Sequence, residues 1–306
     1  MNSNSNFSGV VTSAHGRHYM VLTNDDHLML ICTRPSKKID VVCGDLVNGV
    51  IVSENQGVIK KIQARSSFLF REDLHRQKAI AANVDTVLIV ISPNPPFNDQ
   101  LLAHCLVSIE ANKIQPLIIC NKKKSLPHAT ESLNKTLKYY ESLDYHVIYT
   151  EALEGDLGQL PDLIQGHNCL LIGQSGMGKS TLTNQLIPGA TARTNEISES
   201  LQSGKHTTTA SQLYFLPQGG TLIDSPGLQT FGLHHLSENQ ITHQFREFKN
   251  LVNRCRYRNC SHIIEAGCQL KEASLNHPCM ERRLEILVQL CRQQRQALLA
   301  FTRTKT

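Results

Sequence analysis

Apolar residues along this 306-residue chain fall into short runs whose spacing changes twice. From 8 to 65 the runs are brief and β-type: Val10-Val11, Tyr19–Leu22, Leu28–Cys32, Val50–Val52 and Val58-Ile59. Gly16, Asn24-Asp25-Asp26, Pro35, Gly44 and Gly57 part them, and short strands with turns between predict a small barrel of the OB type. A polar, disordered tail over about residues 1–7 precedes it, and the charged stretch 66–83 reads as a linker with some helix.

A different rhythm begins at 84. Val84–Ile91, Pro116–Cys120, Tyr145–Tyr149 and His167–Ile172 are apolar runs that suit strands. Helical patterns at 100–111, 131–143 and 180–187 stand among them, the first with Leu101, Leu102, Cys105, Leu106 and Ile109 as its stripe. Pro188-Gly189 stops the last. Such alternation predicts a mainly parallel, covered sheet. Residues 190–212, rich in Ser and Thr, read as a mobile loop, and 213–217 with 220–224 as a hairpin around Gln218-Gly219. From Ser237 the chain reads as helical, with Ser237 and Gln240 spaced for a capping box. A last helix over 280–301 gathers Leu284, Leu287, Val288, Cys291, Leu298 and Leu299 on one face, with Arg282, Arg283, Arg292 and Arg295 elsewhere. The expected fold is therefore multidomain: a β-barrel over 1–66, an α/β unit over 67–235 and a mostly helical unit over 236–306.

Composition narrows the setting. No apolar run nears the ~20 residues that span a bilayer, and the start Met1–Asn6 has neither a basic nor an apolar segment, so a cytoplasmic protein without membrane contact is expected. The net charge of +5 is uneven: +2 over 1–65, −3 over 66–235 and +6 over 236–306. Basic ends around an acidic centre suit contact with a polyanion, or simply a solvated surface. Arg34, Lys37-Lys38 and Lys60-Lys61 are the barrel's basic spots, on a module that touches RNA or docks protein. Ten Cys in such a chain point to free thiols or metal rather than disulfides.

Chemistry concentrates at Gly173-Gln174-Ser175-Gly176-Met177-Gly178-Lys179-Ser180, followed by Thr181, between a strand and a helix. This is the P-loop pattern: glycines let backbone N–H groups face phosphate, the lysine reaches the β- and γ-phosphates, and the serine hydroxyl binds Mg²⁺. The helix N-terminus adds its dipole. Asp224-Ser225-Pro226-Gly227 ends a later strand 44 residues after Ser180. In P-loop GTPases this pattern holds Mg²⁺ through Asp224, and the N–H of Gly227 faces the γ-phosphate. In the interval, one of Thr207, Thr208 and Thr209 is expected to complete the Mg²⁺ shell, Thr208 being favoured.

A GTPase also reads guanine, usually with Asn-Lys-x-Asp after a strand. The candidate is upstream, at Asn121-Lys122-Lys123-Lys124, and the second base-side loop is Glu151-Ala152-Leu153, with Ala152 the candidate contact. Base-binding elements thus precede phosphate-binding ones, the order of a circularly permuted GTPase domain. With Ala81–Asp85, Gly204–Thr209 and a Cys/His cluster described below, the chain resembles the RsgA family, permuted GTPases of bacterial small-ribosomal-subunit assembly, over almost its whole length. The resemblance implies an OB barrel, GTP hydrolysis stimulated by the small subunit and a zinc-binding C-terminal domain. It also implies a monomer that meets the subunit and its rRNA, binds it with GTP and leaves after hydrolysis to GDP.

Two positions depart from the usual pattern. The family has Asp where this chain has Lys124; a carboxylate accepts from guanine N1–H and N2–H₂, and lysine only donates. Hydrogen bonds worth ~1.5–3 kcal/mol each are lost, so GTP affinity is expected roughly 10–10³-fold below that of an Asp version, with blurred selectivity against ATP. After Gly227 stands Leu228, which cannot orient water where Ras-like proteins use Gln. His206 is a candidate to position the water, or else a loop histidine in solvent; with it, Lys179 and Asp224 are the candidate catalytic residues. Two rival readings follow: a P-loop NTPase of relaxed base specificity, and an RNA-binding scaffold with a degenerate nucleotide site. Intact Lys179, Ser180 and Asp224 disfavour the second.

The remaining motif is Cys255-x₄-Cys260-x-His262-x₅-Cys268. Three sulfurs and one imidazole make a full tetrahedral set for one structural Zn²⁺, and the set resembles the family's. His277, Cys279 and Cys291 fall outside it. Arg254, Arg256 and Arg258 stand among the ligands, where a braced basic surface suits RNA phosphate or a protein. One test follows from the loop chemistry: His206→Ala is expected to lower partner-stimulated phosphate release with nucleotide affinity intact, and unchanged turnover removes His206 from the mechanism.

Overall fold

In a computed structural model of the chain, residues 5–34, 40–73, 76–128, 131–190, 211–225, 231–233 and 235–303 are described. The barrel strands are β1 (Asn6–His15), β2 (His18–Thr23), β3 (Met29–Thr33), β4 (Leu46–Ser53) and β5 (Gln56–Ile62). They run β1-β2-β3-β5-β4, and β4 pairs back onto β1, which closes the barrel. Val11, Val21, Leu30, Val47 and Ile59 fill it. The polar tail is shorter than expected: Asn6 and Phe7 belong to β1, and Phe7 is buried. Its ring fits because position 49 has no side chain, since a Cβ there would sit 2.5 Å from it.

The stretch read as a linker is instead a two-stranded sheet, β6 (Phe68–Asp73) with β7 (Arg76–Ala82). Its apolar alternation is short and interrupted by charge, so the pattern alone did not reveal it. Neighbours hold it in place. Arg65 lies 4.1 Å over the Phe68 ring and forks onto the buried Asp45 carboxylate of the barrel at 2.7 and 2.8 Å. Asn83 donates to Gly44 O at 2.9 Å.

The α/β unit follows the expected alternation. Its strands are β8 (Thr86–Ile91), β9 (Gln115–Cys120), β10 (His146–Tyr149), β11 (Asn168–Ile172), β12 (Gln212–Phe215) and β13 (Thr221–Asp224). Its helices are α1 (Asp99–Ala111), α2 (Glu131–Ser142), the single turn α3 (Leu160–Leu163) and α4 (Lys179–Leu186). The order β10-β9-β8-β11-β13-β12 is parallel except for β12, which pairs antiparallel with β13 as the hairpin pattern predicts. Alternate residues serve opposite faces: Val87, Ile89 and Ile91 join one core, Leu88 and Val90 the other. One bridge, Ser13 with Gln212, joins this sheet to the barrel.

The last unit comprises α5 (Glu238–His243), α6 (Gln269–Ser274) and α7 (Pro278–Arg303), and packs its core against Ala103 and Val107 of α1. Ser237 and Gln240 form the capping box. Arg283 does not lie on a polar face as its spacing suggested. It is buried, ion-paired with Glu247, donates to Tyr140 Oη at 2.9 Å and lies 4.7 Å over Phe245. A charge this deep is tolerable only with its partner. Glu247→Ala is therefore expected to cost about 3–5 kcal/mol, seen as a lower denaturant midpoint; an unchanged midpoint contradicts the pairing.

Candidate nucleotide site and metal centre

Strand order locates the site. From β8 the chain passes to β9 and β10 on one side and returns to β11 and β13 on the other. The strand order therefore reverses between β8 and β11, and crevices at such points, outside the carboxyl ends of strands, take ligands. The P-loop leaves β11 there. Parallel pairing of β11 with β13 sets Leu171 beside Asp224, so the P-loop and Asp224 share one end of the sheet.

Gly178 begins α4 at a left-handed φ of 96°, and a Cβ on it would lie 2.2 Å from Asn121 Nδ2. Only glycine fits on both counts. Lys179 Nζ arches over the loop, donating to Gly173 O at 2.6 Å and Gln174 O at 3.0 Å. Burial lowers the Lys179 pKa. Burial also raises that of Asp224, against the opposing pull of Lys179. Gln174 Oε1 accepts the N–H of Asn98, the N-cap of α1. Met177 is buried, Ser175 and Ser180 are exposed, and Thr181 is half-buried.

Asn121, itself buried, joins the two halves of the domain. Its Nδ2 donates to Met177 O of the P-loop at 3.0 Å, while its Oδ1 accepts Thr150 Oγ1 at 3.0 Å and Ala152 N at 3.1 Å. Lys122, at a left-handed φ of 60°, donates to Asn94 O at 2.6 Å and Gly176 O at 2.7 Å. Lys123 and Lys124 turn to Asp156 and Glu154. The upstream motif, Ala152 and the P-loop thus meet. His206, Thr207, Thr208, Thr209, Gly227 and Leu228 lie outside the described residues, as do most of the loop 190–212 and Lys37-Lys38. Thr150 and Asn94 were missed by motif reading; what marks them is their place just past the carboxyl ends of β10 and β8, where such sheets gather ligand-site residues.

Residues 62–234 match the model of the RsgA GTPase family. A relative from Paraburkholderia phytofirmans, named small ribosomal subunit biogenesis GTPase RsgA, is 43% identical over 296 residues, spanning 94% of this chain and 93% of its own. The chain belongs to the RsgA GTPase family. It is accordingly a GTP-hydrolysing enzyme. A Burkholderia pseudomallei RsgA is 45% identical over 271 residues, 87% of this chain and 85% of its own. The crystal structure of YjeQ from Thermotoga maritima superposes with a TM-score of 0.71 at 25% identity, covering 95% of this chain and 99% of that one. YloQ, described as a circularly permuted GTPase, shares the fold with a TM-score of 0.67 at 22% identity, covering 96% and 97%. RsgA membership agrees with the OB-type barrel and permuted order seen here. Among the described residues, no helix is long and apolar enough to cross a membrane.

The metal centre is assembled in the last unit. The ligand atoms of Cys255, Cys260, His262 and Cys268 all lie within 4.8 Å of one another. His262 Nδ1 stands 3.7 Å from Cys255 Sγ and 3.4 Å from Cys268 Sγ. Tetrahedral Zn²⁺ with sulfur ligands needs edges of roughly 3.8 Å, so the residues fit a structural zinc with all four positions filled by protein. His277, Cys279 and Cys291 stand outside the group. The motif did not reveal Glu265. Its carboxylate accepts Ser261 Oγ and N at 2.6 and 2.8 Å and the N–H groups of Ile263 and Ile264 at 3.2 Å. Those bonds, Ser261's first, push its pKa down to about 2, and they hold the loop that carries His262.

Burial pushes the Cys260 thiol up to about 12 and raises that of Cys268. A divalent ion inverts this, since coordination requires thiolates. Zinc binding is therefore expected to release protons and to weaken as pH falls. The purified chain should carry one zinc by elemental analysis. Cys260→Ser should lose it and melt lower, while Cys279→Ser should keep it; a Cys260→Ser chain that retains zinc and its melting point contradicts the assignment.

Proposed function

We propose that the chain is a GTP-hydrolysing factor in late assembly of the small ribosomal subunit, bound to the subunit and its rRNA as a monomer in the GTP state and released after hydrolysis. The single observation that carries a guanine-nucleotide reading is the Asn121 amide, which bonds the upstream base-side loops to the P-loop. In this reading Asn121, Lys122 and Ala152 frame the base, with the backbone of Lys123 and Lys124 beside it. Backbone N–H groups of 173–181 cradle the phosphates, and Lys179 reaches the β- and γ-oxygens. Ser180 and Thr208 would hold Mg²⁺, with Asp224 behind it. The ion would supply charge neutralisation at the β- and γ-phosphates, and Gly227 N–H would serve the γ-phosphate. His206 positions the attacking water in place of a residue-228 side chain.

The small-subunit assignment rests on the relatives' names and on the surface charge that remains. Part of the basic character of 236–306 is taken up by ion pairs within the chain. Arg246 pairs with Glu110, Arg282 with Asp99, Arg283 with Glu247 and Arg295 with Glu238. Exposed Arg254, Arg256 and Arg258 beside the half-exposed Tyr257 of the zinc loops remain for phosphate and base contact. We assign the barrel to 1–66, the permuted domain to 67–235 and the zinc unit to 236–306.

Phosphate release measured with GTP or ATP, with and without small subunits, tests this. The expected result is slow release alone, strong stimulation by small subunits with GTP only, and none from Lys179→Ala. No stimulation, or equal use of ATP, contradicts the proposal.

A further inference from the structure

Guanine presents N1–H and N2–H₂ to its reader, and position 124 answers with a lysine, which has no acceptor. Resting on the guanine-nucleotide reading above, we propose that Glu151 is the guanine-reading residue of this chain, supplying the carboxylate that Lys124 displaces.

Four observations place it there. Glu151 is only 8% exposed, and its Oε2 accepts the backbone N–H of Lys124 at 2.9 Å. Its carboxylate therefore touches the very position whose side chain usually carries the acceptor. Its neighbours Thr150 and Ala152 are both bonded to Asn121 Oδ1, and its own N–H and C=O pair with Asp156, so the backbone on either side is fixed. Oε1 has no hydrogen-bond partner among the described residues, yet it is not one of the fully enclosed unpaired atoms, which are Tyr145 Oη and Thr183 Oγ1. It therefore keeps some access to solvent, with lone pairs free for a donor. Finally, the other nearby carboxylates are taken: Glu154 holds Lys124 Nζ and Asp156 holds Lys123 Nζ, all well exposed.

A largely buried carboxylate with one oxygen unpaired is costly unless a ligand supplies the missing donors. Guanine supplies two. In the usual arrangement the acid stands at the position of Lys124 and a small serine at that of Glu151; here the acid stands on the second loop and a lysine takes its usual position. Glu154, by drawing the lysine ammonium outward, keeps the cation off the base edge. The weakened guanine grip expected from Lys124 alone therefore does not follow, and Lys124→Asp alone sets a second carboxylate against the first.

Titration of the full chain with GDP, ADP and XDP, whose xanthine carries a carbonyl where guanine has its amine, tests this. Glu151→Gln keeps an acceptor for Lys124 N–H, and its melting curve should match the parent. Its amide offers the base a donor beside an acceptor, so GDP should bind at least about 10-fold more weakly and the GDP-over-XDP preference should fall about 100-fold or more. Glu154→Gln should keep the preference. Lys124→Asp should not tighten GDP, whereas Lys124→Asp with Glu151→Ser should regain parental affinity. A Glu151→Gln chain with the parental preference, or tighter GDP binding by Lys124→Asp alone, overturns Glu151 as reader and leaves the GTPase reading standing. A parent chain that holds ADP as tightly as GDP overturns both.

Discussion

One carboxamide organises the nucleotide half of this molecule. Asn121 is buried, and burial makes its donor and acceptor expensive to leave unpaired. Both are satisfied only when three segments arrive together: the P-loop through Met177 O, the end of β10 through Thr150, and the base-side loop through Ala152 N. Gly178 makes the approach possible, because any side chain there would occupy the amide's place. The bond is indifferent to chain order. A permuted domain, whose base-side loops are made before its phosphate loop, needs a tie of this kind between halves that no short connection joins.

The same logic extends to the zinc unit. Gln174 of the P-loop accepts from the N-cap of α1, and the next residue, Asp99, is ion-paired with Arg282 of α7. The Arg282 guanidinium holds the Asp99 carboxyl below the usual range. Further along α1, Glu110 holds Arg246, and the apolar side of α1 enters the C-terminal core. A continuous set of contacts thus leads from the phosphate loop to the helix behind the metal centre. The barrel is joined differently, by the Ser13–Gln212 and Cys43–Ala81 bridges, by Arg65 over Phe68 and by the Asn83–Gly44 contact.

What was legible in the sequence was whatever depends on local chemistry. The P-loop's place between a strand and a helix, the strand end at Asp224, the capping box at Ser237, the hairpin at 218–219 and the grouping of the four metal ligands are set by residue type at fixed spacing, and the structure has each of them. What escaped depends on distant partners. Residues 68–73 and 76–82 form strands because contacts from Arg65 and the barrel hold them, not because their own pattern is strong. Phe7 is core because Gly49 leaves it room. Arg283 looks like a surface arginine until Glu247, 36 residues earlier, is brought against it. Thr150 carries no motif and acts through a bond to Asn121 on another loop; Glu265 carries none either and acts through bonds within its own turn; Glu151 stood in the base-side loop as read, but its bond to Lys124 N–H did not show in the sequence. Lys124 shows the limit most plainly, since the position that motif reading marks as deficient lies against a carboxylate on another loop.

The central claim is that sequence-early and sequence-late loops form one guanine-nucleotide site. Hydrogen–deuterium exchange of the full chain, with and without GDP and Mg²⁺, tests it most directly. The account predicts that nucleotide protects amides in 121–124, 150–154 and 173–181 together. Protection confined to 173–181, with the base-side loops exchanging as in the free protein, would contradict it.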